Sequence, residues 1–188
     1  MITVSESEIV INSRELKARL LGSSDERTMS AAAEHERILR RRVNCSFCVR
    51  ESEIVFTDVG CDLGYGVIES LNLRKNLLGC RRAYTMAISL GAGADMAIRS
   101  AAVRSSFDQF VCDAVASAMA EALADYVQSH LPLPTKARFS PGYGDLPLSV
   151  QPRLLSFLNA QKEMGIVLSD SLLMTPTKSI TAIAGIKQ

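Results

Sequence analysis

The sequence has almost no net charge: 21 lysines and arginines against 20 aspartates and glutamates leave +1. Nucleic-acid binding draws on a basic excess, so composition gives that class no support. No apolar run is long enough to cross a bilayer, and no basic-then-apolar leader opens the chain. No membrane association is expected, and a cytoplasmic location follows by default. The five cysteines, Cys45, Cys48, Cys61, Cys80 and Cys112, are odd in number and scattered. That argues against a disulfide framework and for reduced thiols. Cys45-Ser46-Phe47-Cys48 has zinc or redox spacing, but no second CxxC follows, and both histidines, His35 and His130, fall in predicted helices. In a strand over 43–50, positions i and i+3 point to opposite faces, so the four convergent ligands of a zinc site do not assemble.

What is present is the make-up of an ordered globule: 47% apolar and 22% charged residues, too apolar for a disordered chain. At 188 residues the expectation is one domain, 1–188, with a helical N-terminal segment over about 1–42. Residues 1–10 read as a short strand or ordered arm. Asn12 or Ser13 caps a helix through Leu21, stopped by Gly22. A second helix runs over 24–42. Its apolar positions (Met29, Ala33, Ile38, Leu39) are sparse, which predicts a peripheral helix. The Arg40-Arg41-Arg42 run at its end either complements the helix C-terminus or offers a patch to an acidic partner such as a flavodoxin.

Three strands, 43–50, 54–58 and 64–70, follow at the short spacing of an antiparallel meander. A short helix over 71–78 ends at Gly79. Residues 82–90 read as a buried strand feeding Gly91-Ala92-Gly93 and a helix. A lone Gly-x-Gly is a weak dinucleotide signal, because Met96 stands where a third glycine belongs and no βαβ repeat follows. It reads as a tight turn, with Asp95 available as a cap. Helices over 94–103 and 105–128 come next. The longer one joins a broad apolar surface to a run of alternating alanines, so the sheet should pack on it. Asp113, Ser117, Glu121 and Asp125 recur at i, i+4 on its polar side. The stripe is either simply the wet side of the helix or, since like charges at Glu121 and Asp125 mildly oppose the helix, a place for a cation. A helix over 150–160 is entered through Pro152. Strands over 169–174 and 179–186 close as a C-terminal hairpin around Pro176. The fold class is α+β: an antiparallel sheet, meander plus C-terminal hairpin, packed on long helices.

The stretch Arg138-Phe139-Ser140-Pro141-Gly142-Tyr143-Gly144-Asp145-Leu146-Pro147 holds two prolines and two glycines, which forbid a regular helix or central strand. Pro141-Gly142 predicts a tight turn with Gly142 at positive φ, setting Tyr143 just past a bend. Arg138 brings a rigid fork of donors for a carboxylate or phosphate. Tyr143 brings a flat face and a hydroxyl. The same residues serve equally as a structural turn with a surface arginine.

Arg-x-x-Pro-Gly-Tyr, then Asp170-Ser171-Leu172-Leu173-Met174-Thr175-Pro176 and Ser179-Ile180-Thr181, resembles the activation domain of cobalamin-dependent methionine synthase in its freestanding form. Ile11-Asn12-Ser13-Arg14-Glu15-Leu16, Leu90-Gly91-Ala92-Gly93 and Ala120-Glu121-Ala122-Leu123-Ala124-Asp125-Tyr126 extend the likeness over most of the chain. The resemblance implies binding of S-adenosylmethionine. Arg138 would pair with its carboxylate and Glu121 with its ammonium. The backbone at Ser140 and Gly142 would approach the ligand, and Tyr143 would border the adenosyl group. It further implies an accessory role in reductive methylation of cobalamin. The cobalamin would be carried by a partner corrinoid module, since no Asp-x-His-x-x-Gly motif occurs here, and a flavodoxin-like protein would supply the electron. The chain departs from the family pattern at Gly144, where the large enzymes have proline, and at Ser117, where they have aspartate. No acidic residue matches the one near their domain start. The alternative is a docking protein for a corrinoid partner that binds no S-adenosylmethionine.

Overall fold

The computed structural model describes residues 1–188, and its elements follow from local chemistry. Strand β1 (Ile2–Thr3) leads to α1 (Ser13–Arg19), whose first amides are capped by the Asn12 side chain, and to α2 (Glu26–Arg40), capped by Asp25. Strand β2 (Ser46–Glu53) is followed by β3 (Val55–Phe56), β4 (Gly60–Asp62) and β5 (Val67–Glu69), then by α3 (Leu71–Leu77). Next come β6 (Arg82–Ser89), α4 (Ala92–Arg104) and the long α5 (Ser106–Ser129). The chain closes with α6 (Gln151–Leu158), α7 (Ala160–Met164), β7 (Val167–Leu168), β8 (Met174–Thr175) and β9 (Ser179–Gly185).

The central sheet is antiparallel in the order β1-β2-β6-β9. Alternation along its strands divides the interior into two cores. From β6, Tyr84, Met86 and Ile88 face a core built with α2, α4 and α5, while Ala83 and Ala87 face a second core with α6 and the β4–β5 region. The long helix buries Val111, Val115, Met119 and Leu123 completely in the first core. Each such side chain stabilises the fold by roughly 1.5–3 kcal/mol. Its alanines at 114, 116, 118, 120, 122 and 124 are also buried, and their small size lets the neighbouring elements approach closely.

Several expectations require correction. The strand over 43–50 is not part of a meander with its successors. It pairs with β6 and β1, and the meander is β3-β4-β5, with Gly60–Asp62 as its middle strand. Gly60 belongs there because a Cβ would sit 1.9 Å from the Ile68 carbonyl oxygen. The C-terminal strand does not form a hairpin with residues 169–174. It pairs with β6 over Ser179–Gly185, and the small hairpin is β7–β8. The buried Asp95 side chain accepts from the Thr177 backbone N–H and hydroxyl just before β9. Asp95 therefore does not cap α4, which starts at Gly91 without a side-chain cap. Helix α2 is not peripheral: Leu39, Ala32 and His35 are buried. His35 Nε2 lies 3.1 Å from Asp108 Oδ1 on α5, a polar tie that apolar periodicity misses. No helix is long and apolar enough to cross a membrane.

Candidate functional site

The edge of β9 positions the site. Residues 134–139 run along it in extended form: Lys136 N donates to Gly185 O at 2.8 Å, and Phe139 and Ile183 exchange backbone bonds at 2.8 and 2.9 Å. Strand-like alternation then sends neighbouring side chains to opposite faces. Phe139 packs on the second core, and Arg138 turns to the polar side of α5.

Beyond Phe139 the chain makes the expected turn. Tyr143 N donates to Ser140 O at 3.2 Å and Gly142 has φ +93°, a conformation that favours glycine. Leu146 anchors the loop in the second core. Asp145 seals it to the start of α3, accepting from the Ser70 hydroxyl and from the Leu71 and Asn72 amides. The Ser70 hydroxyl, with those amides, holds the Asp145 carboxyl below its ordinary range. The bend is thus fixed at both ends, leaving Tyr143 exposed on its outer side.

The acidic stripe of α5 receives the cations that its like charges demand. Arg138 Nη2 donates to Glu121 Oε2 at 2.7 Å, and Nη1 donates to Asp125 Oδ1 at 2.5 Å and Gln128 Oε1 at 3.2 Å. Burial pulls the guanidinium's affinity for its proton down, but the Asp125 and Glu121 carboxylates outweigh it and the net shift is upward. Arg19 reaches Glu121 Oε1 at only 3.5 Å. At the other end of the stripe Lys178 bridges Asp113 at 2.9 Å and Ser117 at 2.8 Å. Lys178 was not singled out from the sequence; the unexplained run of acids on α5 was the signal for it.

A cleft of about 380 Å³ opens beside this cluster, lined by Glu121, Arg138, Ser140, Tyr143, Gln151 and Met174 among others, with the start of β9 as one wall. Arg138 keeps Nε–H and one Nη2 hydrogen without a protein acceptor, and Glu121 Oε1 is engaged only by the long Arg19 contact. A fixed cation and a fixed carboxylate, 2.7 Å apart on one wall, form a complement to a zwitterion. Gly142 does not line the cleft: its amide donates to Leu146 O at 2.8 Å and it lies against Leu148. Its part is to make the bend.

No family model and no curated protein matches the chain. Among solved structures, the chain superposes on the MetH reactivation domain bound to AdoHcy with a TM-score of 0.71 at 14% sequence identity. The match covers 98% of this chain and 77% of that one. The fold is shared with the MetH reactivation domain. Helices and antiparallel sheet, dominated by the four-stranded β1-β2-β6-β9 sheet, form a single mixed domain in this chain, as in that fold.

Elsewhere in the fold shared with the MetH reactivation domain, two other sequence candidates are accounted for by packing. The Gly91-Ala92-Gly93 turn lies on the backbone after α2: a Cβ at Gly93 would sit 1.7 Å from the Arg42 carbonyl oxygen. Glycine there allows backbone to touch backbone, in the space where a phosphate would lie in a dinucleotide site. Cys45 and Cys48 fall in different cores, on opposite faces of the sheet. All five thiols are buried, and burial pushes Cys45, Cys61 and Cys112 up to about 11, which suppresses thiolate chemistry. No group of three or more His, Cys, Asp or Glu side chains is placed to hold a metal ion. In the arginine run, Arg40 is consumed internally, bonding Glu36 and the carbonyls of Glu6 and Ile9.

Proposed function

We propose that this chain is a freestanding activation subunit that binds S-adenosylmethionine and supports reductive methylation of cobalamin on a partner corrinoid methyltransferase, with methionine synthase the first candidate. The observation that carries the reading is the Arg138–Glu121 pair on the wall of the cleft, beside an exposed tyrosine held by a rigid bend. The likeness in fold to a reactivation domain bound to AdoHcy supports it. The cleft volume also falls in the range of small-molecule sites, about 300–1,000 Å³.

On this reading, Arg138 takes the ligand carboxylate through its free Nε–H and Nη2 hydrogen, Glu121 takes the ammonium through Oε1, and Ser140 supplies backbone at the cleft wall. Tyr143, exposed at the rim, borders the adenosyl group and faces the partner. None of these side chains gives or takes a proton. Their work is to hold the sulfonium methyl toward the partner's cobalt, which is catalysis by proximity. One electron from a flavodoxin-like donor reduces cob(II)alamin to cob(I)alamin. The cobalt–carbon bond then forms as the sulfur–methyl bond breaks, and that bond's electron pair stays on sulfur, leaving S-adenosylhomocysteine. The cobalamin comes on the partner's corrinoid module. Such an accessory subunit would work in the cytoplasm.

Calorimetry with S-adenosylmethionine tests the reading. Arg138→Ala is expected to weaken binding by about 2–5 kcal/mol, the cost of stranding a buried carboxylate partner. Glu121→Gln, which keeps the shape, is expected to weaken it less. Wild-type affinity in both variants would remove the site. The alternative, a docking protein that binds no S-adenosylmethionine, predicts ligand-independent capture of a corrinoid protein and a blank titration.

A further inference from the structure

Four buried side-chain polar atoms have no hydrogen-bond partner within the protein: Ser52 Oγ, Thr57 Oγ1, Asn76 Oδ1 and Gln151 Oε1. Only Gln151 lines the cleft. The residue is 5% exposed and stands at the first position of α6. Its Nε2 donates to the Leu172 carbonyl at 3.4 Å. A carbonyl can only accept, so the amide nitrogen faces Leu172 and the oxygen is the free group. A buried acceptor without a donor is costly, and such groups in native structures point to a missing partner.

We propose that Gln151 reads the amino edge of the ligand's adenine. The inference rests on the reading of the cleft as a site for an S-adenosyl compound. Helices α5 and α6 pack on opposite faces of the sheet, so Glu121 and Gln151 reach the cleft from its two sides. Arg138 and Glu121 carry the charges and serve the charged amino-acid end. The uncharged carboxamide is left for the uncharged base. A carboxamide sets one acceptor beside one donor, and adenine answers with its 6-amino group and N7. Oε1 accepts from the amino group, and the second Nε2 hydrogen is directed to N7. Gln151 is thus a specificity-determining residue, which excludes bases that carry an oxygen at position 6.

The test is a calorimetric comparison of S-adenosylhomocysteine with S-inosylhomocysteine, which differs in bearing that oxygen. Wild type is expected to favour the adenosyl compound by about tenfold or more, because a buried acceptor facing an acceptor loses its hydrogen bond. Gln151→Leu is expected to weaken the adenosyl compound about tenfold and to level the two ligands. Gln151→Glu, which keeps the acceptor, should retain the preference. Equal wild-type affinity for the two, or an undiminished preference in Gln151→Leu, overturns the inference. If wild type binds both equally and Arg138→Ala abolishes that binding, the site reading stands and only the assignment of Gln151 falls. If wild type binds neither, both fall.

Discussion

Replacing Arg138 with methionine is the perturbation that best separates a structural cation from a decorative one. The guanidinium is 19% exposed and holds two carboxylates one turn apart on α5. The Glu121 arm is half-buried and charge-assisted, a class of bond that contributes about 1.5–3 kcal/mol. The Asp125 arm ends on a side chain 68% exposed, and such pairs contribute about 0–1 kcal/mol. The neutral Gln128 arm adds about 0.5–1.5 kcal/mol. Without the cation, the like charges at i, i+4 oppose the helix by about 0.2–0.5 kcal/mol. These contributions share one side chain and do not add fully, so the expected loss is about 2–4 kcal/mol. Urea unfolding followed by circular dichroism would read it as a lower midpoint at unchanged slope. Arg138→Met/Glu121→Gln should be less destabilised than the sum of the single variants, because each removes what the other strands. A loss below about 1 kcal/mol, or strict additivity, would refute the claim that Arg138 is the clamp on the acidic stripe.

The seal at Asp145 makes a signed prediction. Its pKa is depressed in the folded protein, first by the Ser70 hydroxyl and then by the α3 amides. Its contribution is therefore complete above the ordinary carboxylate value of about 3.9 and is lost as pH falls through the lower folded value. Asp145→Asn should raise hydrogen exchange at residues 143–146 and at the start of α3 at neutral pH, and should flatten the acid limb of the stability curve; an unchanged acid limb counts against the seal. The buried thiols predict that a disulfide reagent at pH 8 labels none of the five cysteines rapidly in the native protein and all five in denaturant. Rapid native labelling of Cys45 or Cys48 would contradict their placement.

Local chemistry made much of this fold legible. The mostly apolar stretch at 82–90, interrupted by Arg82, Thr85 and Ser89 and closed by Gly91, reads as a buried strand, and Pro141-Gly142 can hardly be other than a bend. A cap at Asn12 or Ser13, which the structure resolves to Asn12, and the alanine-rich long helix were equally readable. Pairing partners were not: β9 sits beside β6 rather than beside its predecessor, and the Asp95–Thr177 contact at its start joins residues 82 apart. Strands of two or three residues, such as β4, are too short to show alternation. At the site, Arg138 stands out from the loop chemistry and Glu121 from the acidic stripe, but their pairing around one ligand comes only from the resemblance to the family. Spacing alone does not bring them together; residues 134–139 do, by docking on β9. Lys178 was foreshadowed by the uncompensated acids on α5. Gln151 left no trace, because a polar residue at a helix start looks the same whether it meets water or a cleft.

A structure of the chain with S-adenosylhomocysteine is the most direct measurement. The ligand carboxylate is expected on Arg138 Nε and Nη2, its ammonium on Glu121 Oε1, and its adenosyl group against Tyr143. Ligand bound anywhere other than the cleft between α5, the 138–143 bend and the start of β9, or a cleft that stays empty at saturating ligand, would contradict it.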